Sequence, residues 1–352
     1  MNRQPMVTVH SARRWLGMGA GLVLLASCAS AAAAQAPALA PQPATSPVQL
    51  AWPPPPAPAR IQFVRVLTPS TAGGRPSRLS RFLRAITGSS SPTPELAQPY
   101  GIAVDTAKRV FVADTYAGTI HVFDQEQTRY SAIQVSAKAL IGVAVLGDRL
   151  VVTDSEGRRV VCLTPKGKVV WSLGKDAGFE RPTGIVAADD RVYVVDTLAA
   201  RVVIVSGEGK VVGRFGSRGG EPGQFNFPTN ITRRPDGRLL VTDSMNFRVQ
   251  AFSSDGTLLG AFGQLGDGSG DFSKPKGIAV DSDGHVYVVE GLHDTVQIFD
   301  ENGRFLLAFG ESGSREGQFW LPTGIAIHDD SIYVADAANK RVQVFRYVKE
   351  SP

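Results

Sequence analysis

The stretch RLLVTDSMNFRVQAF, from Arg238 to Phe252, places an acidic residue between two apolar runs. The same arrangement occurs six times along the chain of 352 residues, always with an acid at the same place. The six acids are Asp114, Asp154, Asp196, Asp243, Glu290 and Asp336, spaced 40, 42, 47, 47 and 46 residues apart. A period in the forties with short apolar runs is typical of a propeller, in which each repeat forms one blade. The sequence therefore predicts an all-β, six-bladed propeller.

Each repeat is predicted to contain four strands, which in the fourth repeat are TNITRR, LLVTD, RVQAF and TLLGAF. The last repeat ends after RVQVFRYV (341–348) and supplies no fourth strand. The stretch RIQFVRVL (60–67) has strand character and precedes the first repeat. We expect residues 60–67 to close the ring as the outer strand of the last blade, since an open ring would expose a sheet edge. The propeller then spans 60–348, with the repeats at 98–346.

The repeats resemble those of the NHL-repeat six-bladed propellers. The matching features are the opening from Pro99 to Asp105, its copy from Pro275 to Asp281, and connectors such as GQFNFP (223–228) and GQFWLP (317–322). The resemblance implies the propeller fold. It does not imply one function, because such propellers include both binding proteins and lyases.

The N-terminal segment, residues 1–27, has the features of a signal peptide. Arg13 and Arg14 precede the apolar run WLGMGAGLVLLAS, which is too short for a permanent membrane span. The run ends in LASC, which resembles the lipobox of bacterial lipoproteins and implies a lipid on Cys28. The alternative is an ordinary secretory signal cleaved near ASAAAAQA. The twin arginine leaves both the Sec and the Tat route open.

The lipoprotein resemblance implies an exported protein anchored in the cell envelope on its periplasmic side. Ala29, rather than Asp, follows Cys28, which by resemblance to enteric lipoproteins favours the outer membrane. Residues 28–59 are rich in Ala, Pro and Gln and are predicted to form a disordered tether.

The segment SRLSRFLRAI (77–86) is predicted to form a short basic helix. Its apolar residues recur at the spacing of one helix face, and three arginines flank them. Such a helix either caps the domain or binds a membrane surface or a partner.

Charge argues against a nucleic-acid partner. The net charge is +5, but residues 1–94 hold nine arginines and no acid. Residues 95–352 contain the remaining 28 basic residues and all 32 acidic residues, so their net charge is −4. A duplex-binding protein would need a broad basic face on this part of the chain.

The recurrent acids are predicted to be structural. Five residues after four of them stands an arginine, which the carboxylate can pair with while it accepts backbone N–H groups. A feature present in every blade serves the scaffold, whereas a reaction needs one site. The predicted structural loop acids are Asp114, Asp154, Asp196, Asp243 and Asp336.

A binding face is predicted where the repeats differ from one another. The fifth repeat carries Lys276, Glu290, His293 and Asp294 at or near its loops. In a propeller the loop between strands two and three shares one face with the connector between blades. The residues assigned to this face are Tyr100, Tyr116, Asn230, Met245, Asn246, Lys276, Glu290, His293 and Asp294.

The function predicted from these features is that of a non-catalytic binding or scaffold propeller. We expect a monomer that binds an envelope protein or glycan, with no metal or cofactor apart from the lipid on Cys28. The alternative is a metal-dependent lyase or lactonase-like hydrolase with its site at the channel mouth. An acid–base site formed by Glu290, His293 and Asp294 would also be enzymatic.

The lipobox assignment can be tested by fractionation. Cys28→Ser removes the thiol that would carry the lipid, so the variant should move from the membrane fraction to the soluble fraction. A variant that stays with the membranes would contradict lipid anchoring at Cys28.

Overall fold

The computed structural model describes residues 50–72 and 95–349. The predicted signal peptide, Cys28, most of the tether and the predicted basic helix at 77–86 lie outside these residues, so those assignments remain predictions. The described part forms six sheets arranged as the blades of a propeller, and the prediction of a six-bladed, all-β fold is confirmed.

Blades 1 to 5 each contain four antiparallel strands that follow one another along the chain. Blade 1 comprises β3 (Pro99–Val104), β4 (Arg109–Asp114), β5 (Thr119–Asp124) and β6 (Arg129–Gln134). Blade 2 comprises β7 (Leu140–Leu146), β8 (Arg149–Asp154), β9 (Arg159–Leu163) and β10 (Val169–Leu173). Blade 3 comprises β11 (Pro182–Ala188), β12 (Arg191–Asp196), β13 (Arg201–Ser206) and β14 (Val211–Phe215).

The fourth and fifth blades repeat this order. Blade 4 comprises β15 (Pro228–Arg233), β16 (Leu239–Asp243), β17 (Arg248–Phe252) and β18 (Leu258–Phe262). Blade 5 comprises β19 (Pro275–Val280), β20 (Val286–Glu290), β21 (Thr295–Phe299) and β22 (Phe305–Phe309).

Blade 6 is built from both ends of the described chain. Its strands are β23 (Pro322–His328), β24 (Ser331–Asp336), β25 (Arg341–Tyr347), β2 (Ile61–Leu67) and β1 (Ala51–Trp52), in that order across the sheet. β2 pairs antiparallel with β25, with Ile61 opposite Tyr347 and Leu67 opposite Val342. The predicted closure by an N-terminal strand is confirmed.

A fifth strand in blade 6 was not predicted. Ala51 and Trp52 pair with β2, although the sequence assigned them to the disordered tether that ends at residue 59. The ring of Trp52 lies 5.9 Å from that of Phe309 and 5.8 Å from that of Phe345. Partial burial of this large aromatic side chain favours an ordered strand although four prolines follow it.

The core lies in the seams between blades. The second strand of each blade has neighbouring blades on both sides, so β16 (LLVTD) is buried along its whole length. Each of six apolar clusters joins two adjacent blades, as where Tyr287 and Val289 pack with Ile332 and Val334. The first strand of each blade contacts that of the next, and β23 contacts β3, so the ring is continuous.

Helices in the described part are short. They are α1 (Pro69–Ala72) and two 3-10 turns, Lys175–Ala177 and Ser244–Asn246. Within residues 50–72 and 95–349, no helix has the length and apolar character needed to cross a membrane.

The importance of ring closure can be measured on β2. Ile61 is fully buried between blades 5 and 6, so Ile61→Ala should cost about 2–5 kcal/mol of stability and lower Tm by roughly 5–10 °C. Val64, on the same strand, is 43% exposed. Val64→Ala is the matched control and should change stability by less than about 0.5 kcal/mol. Equal melting temperatures for the two variants would contradict a stabilising role for the closing strand.

Candidate functional site

The six recurrent acids are all fully buried at the ends of the second strands. Each accepts hydrogen bonds from backbone N–H groups of the connector that precedes its own blade. The donors are Ala97 and Gln98 for Asp114, Lys138 and Ala139 for Asp154, Glu180 and Arg181 for Asp196, Asn226 for Asp243, Ser273 and Lys274 for Glu290, and Trp320 for Asp336, at N···O distances of 2.6–3.2 Å. These bonds fix the connector on the loop between strands two and three. The carboxylates are therefore occupied by scaffold contacts.

Four of these acids also pair with the arginine five residues later. The pairs are Asp154–Arg159 at 2.9 Å, Asp196–Arg201 at 3.4 Å, Asp243–Arg248 at 2.9 Å and Asp336–Arg341 at 2.7 Å. Buried charges require such partners. The sequence anticipated the arginines but located the N–H donors only in the acid's own loop, whereas most donors come from the connector.

In blade 1 the arginine position is Thr119, and a histidine two residues later contacts the acid instead. His121, buried in β5, holds Nε2 3.3 Å from Asp114 Oδ2 and Nδ1 2.9 Å from the Tyr130 hydroxyl. Burial of Asp114 opposes ionisation, but the adjacent His121 imidazole and two backbone N–H groups outweigh this effect, so the pKa of Asp114 lies below the ordinary value.

Several residues assigned to the binding face belong to the scaffold. Besides the buried Glu290, Asp294 accepts hydrogen bonds from the Ser312 hydroxyl and the Leu321 N–H, each at 2.8 Å. The amide nitrogen of Asn246 donates to Gly219 and to Asp243. His293 instead lies with Nε2 3.5 Å from Asp267, on the surface. Glu290, His293 and Asp294 thus each have a separate partner.

Lys276 also contributes to a seam between blades. Its Nζ donates to the carbonyl of Pro322 in blade 6 at 3.2 Å. Its side chain lies against Gly291, where an added Cβ would be 2.4 Å from Lys276 Cε. Gly291, the residue after the acid in blade 5, therefore leaves the space through which the lysine reaches.

Hydroxyl groups make the equivalent bonds in blades 3 and 4. Thr197, which follows Asp196, donates to the Pro228 carbonyl at 2.7 Å. Ser244, which follows Asp243, donates to the Pro275 carbonyl at 2.6 Å. Lys276 thus makes the bond that a hydroxyl after the acid would make, since blade 5 has Gly291 at that place. The combination of Gly291 and Lys276 is visible in the sequence and could have predicted this contact.

The axial channel has a volume of about 250 Å³ and is lined by the first strands. In five blades a glycine stands two residues after the start of the first strand, where the first strands of neighbouring blades approach each other closely. An added Cβ would lie 2.5 Å from the Ile141 carbonyl oxygen at Gly101 and 2.1 Å from the Tyr100 carbonyl oxygen at Gly324. Asn230 takes this place in blade 4 and its Oδ1 accepts the Ile231 N–H at 2.8 Å.

A separate pocket of about 380 Å³ lies over blade 6, and we call it the blade-6 hollow. Its lining is Ala97, Gln98, Tyr100, Tyr116, Lys276, Leu321, Thr323, Ala337, Ala338 and Lys340. The structure thus brings together three of the residues assigned to the binding face: Tyr100, Tyr116 and Lys276. Asn230 and Met245 are not part of this pocket.

The hollow exists because blade 6 carries small side chains in its loop. The residue two positions after the acid is Tyr116, Glu156, Leu198, Met245 or Leu292 in blades 1 to 5, but Ala338 in blade 6. Ala337 precedes it, where four other blades have Thr or Ser at the same place. The pair of alanines could have revealed the hollow from the sequence.

The loops between strands two and three and the connectors between blades form one face, which we call the connector face. Half of the exposed large apolar residues of the described chain lie on it: Tyr116, Phe227, Met245, Leu265, Leu292, Trp320 and Leu321. The others are Leu50, before β1, and residues of the outer strands. Among the described residues, the loops of the opposite face contain none.

Within residues 50–72 and 95–349, no group of three or more His, Cys, Asp or Glu side chains is placed to hold a metal ion.

The structural role of the acids predicts a large stability effect. Asp336→Ala would leave Arg341, Gln343 and Asn339 without their carboxylate partner in a buried site, and should cost about 3–5 kcal/mol. The control is Glu301→Ala, since Glu301 is 65% exposed and lies 3.7 Å from Arg234. It should cost no more than about 1 kcal/mol in urea unfolding. Similar costs for the two variants would contradict the structural assignment.

Residues 319–345 match the family model of the NHL repeat. No curated protein matches the chain. Similar solved structures include a streptogramin B lyase, which is 17% identical with a TM-score of 0.57. The match covers 73% of this chain and 96% of the lyase chain. A gluconolactonase from Xanthomonas campestris is 16% identical, with a TM-score of 0.56 and coverage of 72% of this chain and 87% of that one.

A third similar structure is an auxiliary nutrient binding protein from Bacteroides thetaiotaomicron, which is 13% identical with a TM-score of 0.59. The match covers 73% of this chain and 71% of that protein's chain. At these identities the likeness concerns the fold, and the similar structures include both enzymes and binding proteins. The chain is a six-bladed β-propeller that carries an NHL repeat.

Proposed function

We propose that this chain is a non-catalytic binding propeller of the cell envelope, which presents its connector face to a protein partner. The observation that carries the proposal is the segregation of exposed apolar side chains. Tyr116 is 78% exposed and Leu292 62% exposed on the connector face, whereas the opposite loops expose no large apolar residue among those described. Apolar and aromatic side chains gathered on one face are typical of an interaction surface.

The connector face is also rigid, which suits recognition. Its loops are tied to the ring by the buried carboxylates, and in the last three connectors Phe225, Phe272 and Phe319 are fully buried. A rigid loop frame loses little conformational entropy when it binds. This frame supports a docking surface that is formed before the partner arrives.

The cell-envelope setting rests on the sequence. The apolar segment that ends at Cys28 and the Ala- and Pro-rich stretch after it suit a folded domain held away from a membrane.

An enzymatic function is the second candidate, and it is supported by the likeness of the fold to a lyase and a gluconolactonase. The groups that the sequence offered for acid–base chemistry have other partners, because Glu290 and Asp294 accept scaffold hydrogen bonds. Binding is therefore the function that the side-chain contacts favour.

Site-specific photo-cross-linking in intact cells tests the docking face. A photoreactive residue at Leu292 or Trp320 should give a discrete cross-linked protein, because both side chains are exposed on the connector face. A photoreactive residue at Glu301, which is exposed on the opposite face, should give none.

The same cross-link should depend on the apolar side chains around it. With the probe at Leu292, Trp320→Ser should reduce cross-linking at least about fivefold, the loss expected when an interface residue worth about 1 kcal/mol is removed. Val212→Ser, on the exposed side of β14, is the control and should leave the yield unchanged. Equal yields from both faces, or no product from either, would overturn the proposal.

A further inference from the structure

The blade-6 hollow combines positive charge with an absence of acids. Lys276 and Lys340 both line it, and none of the residues that line it is Asp or Glu. Neither lysine forms an ion pair within the described part of the chain, and the hydrogen bond of Lys276 Nζ goes to the neutral Pro322 carbonyl. The charges can therefore attract an anionic ligand.

The environment of Lys276 strengthens this electrostatic argument. Burial, together with the nearby Lys274, lowers its pKa to about 8, against the opposing effects of Asp294 and Glu290. A half-buried ammonium group that forms no direct ion pair gains more from a bound anion than an exposed one does.

The rest of the hollow suits a ring. Tyr100 and Tyr116 from blade 1 line one part of it, and Tyr116 is 78% exposed, so much of its ring is open to solvent. Ala337, Ala338 and Leu321 supply an apolar surface on blade 6, while Gln98 and Thr323 supply polar groups. Pockets with apolar walls and a few polar groups bind small organic molecules rather than bare ions.

The charged donors of the hollow are two lysines, whose ammonium groups can bind a carboxylate and can also bind a phosphate as point charges. Phosphate sites are commonly built from rows of backbone N–H groups in glycine-rich loops or from arginine forks. The lining of the hollow contains neither glycine nor arginine. Two separate lysines can bind the carboxylate group of a ligand while the ring that carries this group lies against a tyrosine.

We propose that the blade-6 hollow binds a small carboxylate carried on a ring, held by Lys276 and Lys340 with the ring against Tyr116. Sugar acids and aromatic acids share this chemistry. The site lies on the connector face, but it rests on residues other than Leu292 and Trp320 and does not require a protein partner there.

Isothermal titration calorimetry of the purified protein tests the proposal with glucuronate as the sugar acid and benzoate as the aromatic acid. At least one should bind with a Kd of about 1 mM or tighter. The ligand that binds more tightly shows whether the hollow prefers a sugar acid or an aromatic acid. Glucose and acetate, which lack the charge and the ring respectively, should bind at least about tenfold more weakly.

A variant that fills the hollow provides the sharpest control. Ala338→Leu introduces the side chain that blades 3 and 5 carry at the same place, as Leu198 and Leu292, so the fold should tolerate it. It should abolish binding with little change in Tm. Val212→Ser, on the outer strand β14, is the control and should bind as the wild type does.

Two further variants address the ring and the charge separately. Tyr116→Ala should weaken binding by about three- to tenfold through loss of the aromatic surface, and its exposure makes unfolding a minor concern. Lys340→Gln should weaken binding up to about fivefold.

The pH dependence separates a direct role of Lys276 from a structural one. Lys276 is charged below its pKa of about 8, so binding should be strongest below this pH and weaken as the pH rises through it. Lys276→Gln should bind weakly and lose this pH dependence while keeping the wild-type fold by circular dichroism.

The proposal would be overturned if neither ring carboxylate bound the wild type, if Ala338→Leu bound as well as the wild type, or if glucose bound as tightly as glucuronate. Inorganic phosphate that bound in place of the ring carboxylates would also overturn it, since the hollow would then be a simple anion site. Loss of the cross-link at Leu292 would leave these results unaffected, so the two proposals can fail separately.

Discussion

One buried carboxylate in each blade is the constraint on which the propeller depends. It ends the second strand, accepts N–H groups from the connector that enters the blade, and in four blades also pairs with the arginine that opens the third strand. A buried charge is stable only with such a set of donors. Each blade therefore fixes its own loops, and the connector face becomes rigid as a consequence of how the blades are held together.

The seams between blades rely on a second repeated feature, the donation of a side-chain proton to a carbonyl of the next first strand. Thr197 and Ser244 do this with hydroxyl groups, and Lys276 does it with an ammonium group. The change in donor at the seam of blades 5 and 6 also places positive charge beside the two alanines of blade 6. The blade-6 hollow thus results from two differences between the repeats: the lysine donor at the seam of blades 5 and 6, and the two alanines in the loop of blade 6.

The period of the acids and the early end of the last repeat were sufficient to predict six blades and closure by β2. The added strand at Trp52 could not be predicted, because its stability depends on Phe309 and Phe345, which are distant in sequence. The sequence singled out Lys276, Tyr100 and Tyr116, which share a pocket, and it also singled out Glu290, Asp294 and Asn246, whose side chains have scaffold partners. Residue type reveals where repeats differ, but whether a polar group is free depends on contacts across the ring.

Native-state hydrogen exchange of the backbone amides that bond to the acids tests the central role of the carboxylates most directly. The amides of Ala97, Lys274 and Trp320, in three different connectors, donate to Asp114, Glu290 and Asp336. If the carboxylates hold the ring as one unit, these amides should exchange only through global unfolding and share one free energy of opening. Exchange of the connector amides at separate and much lower free energies, while the second strands stay protected, would contradict the account.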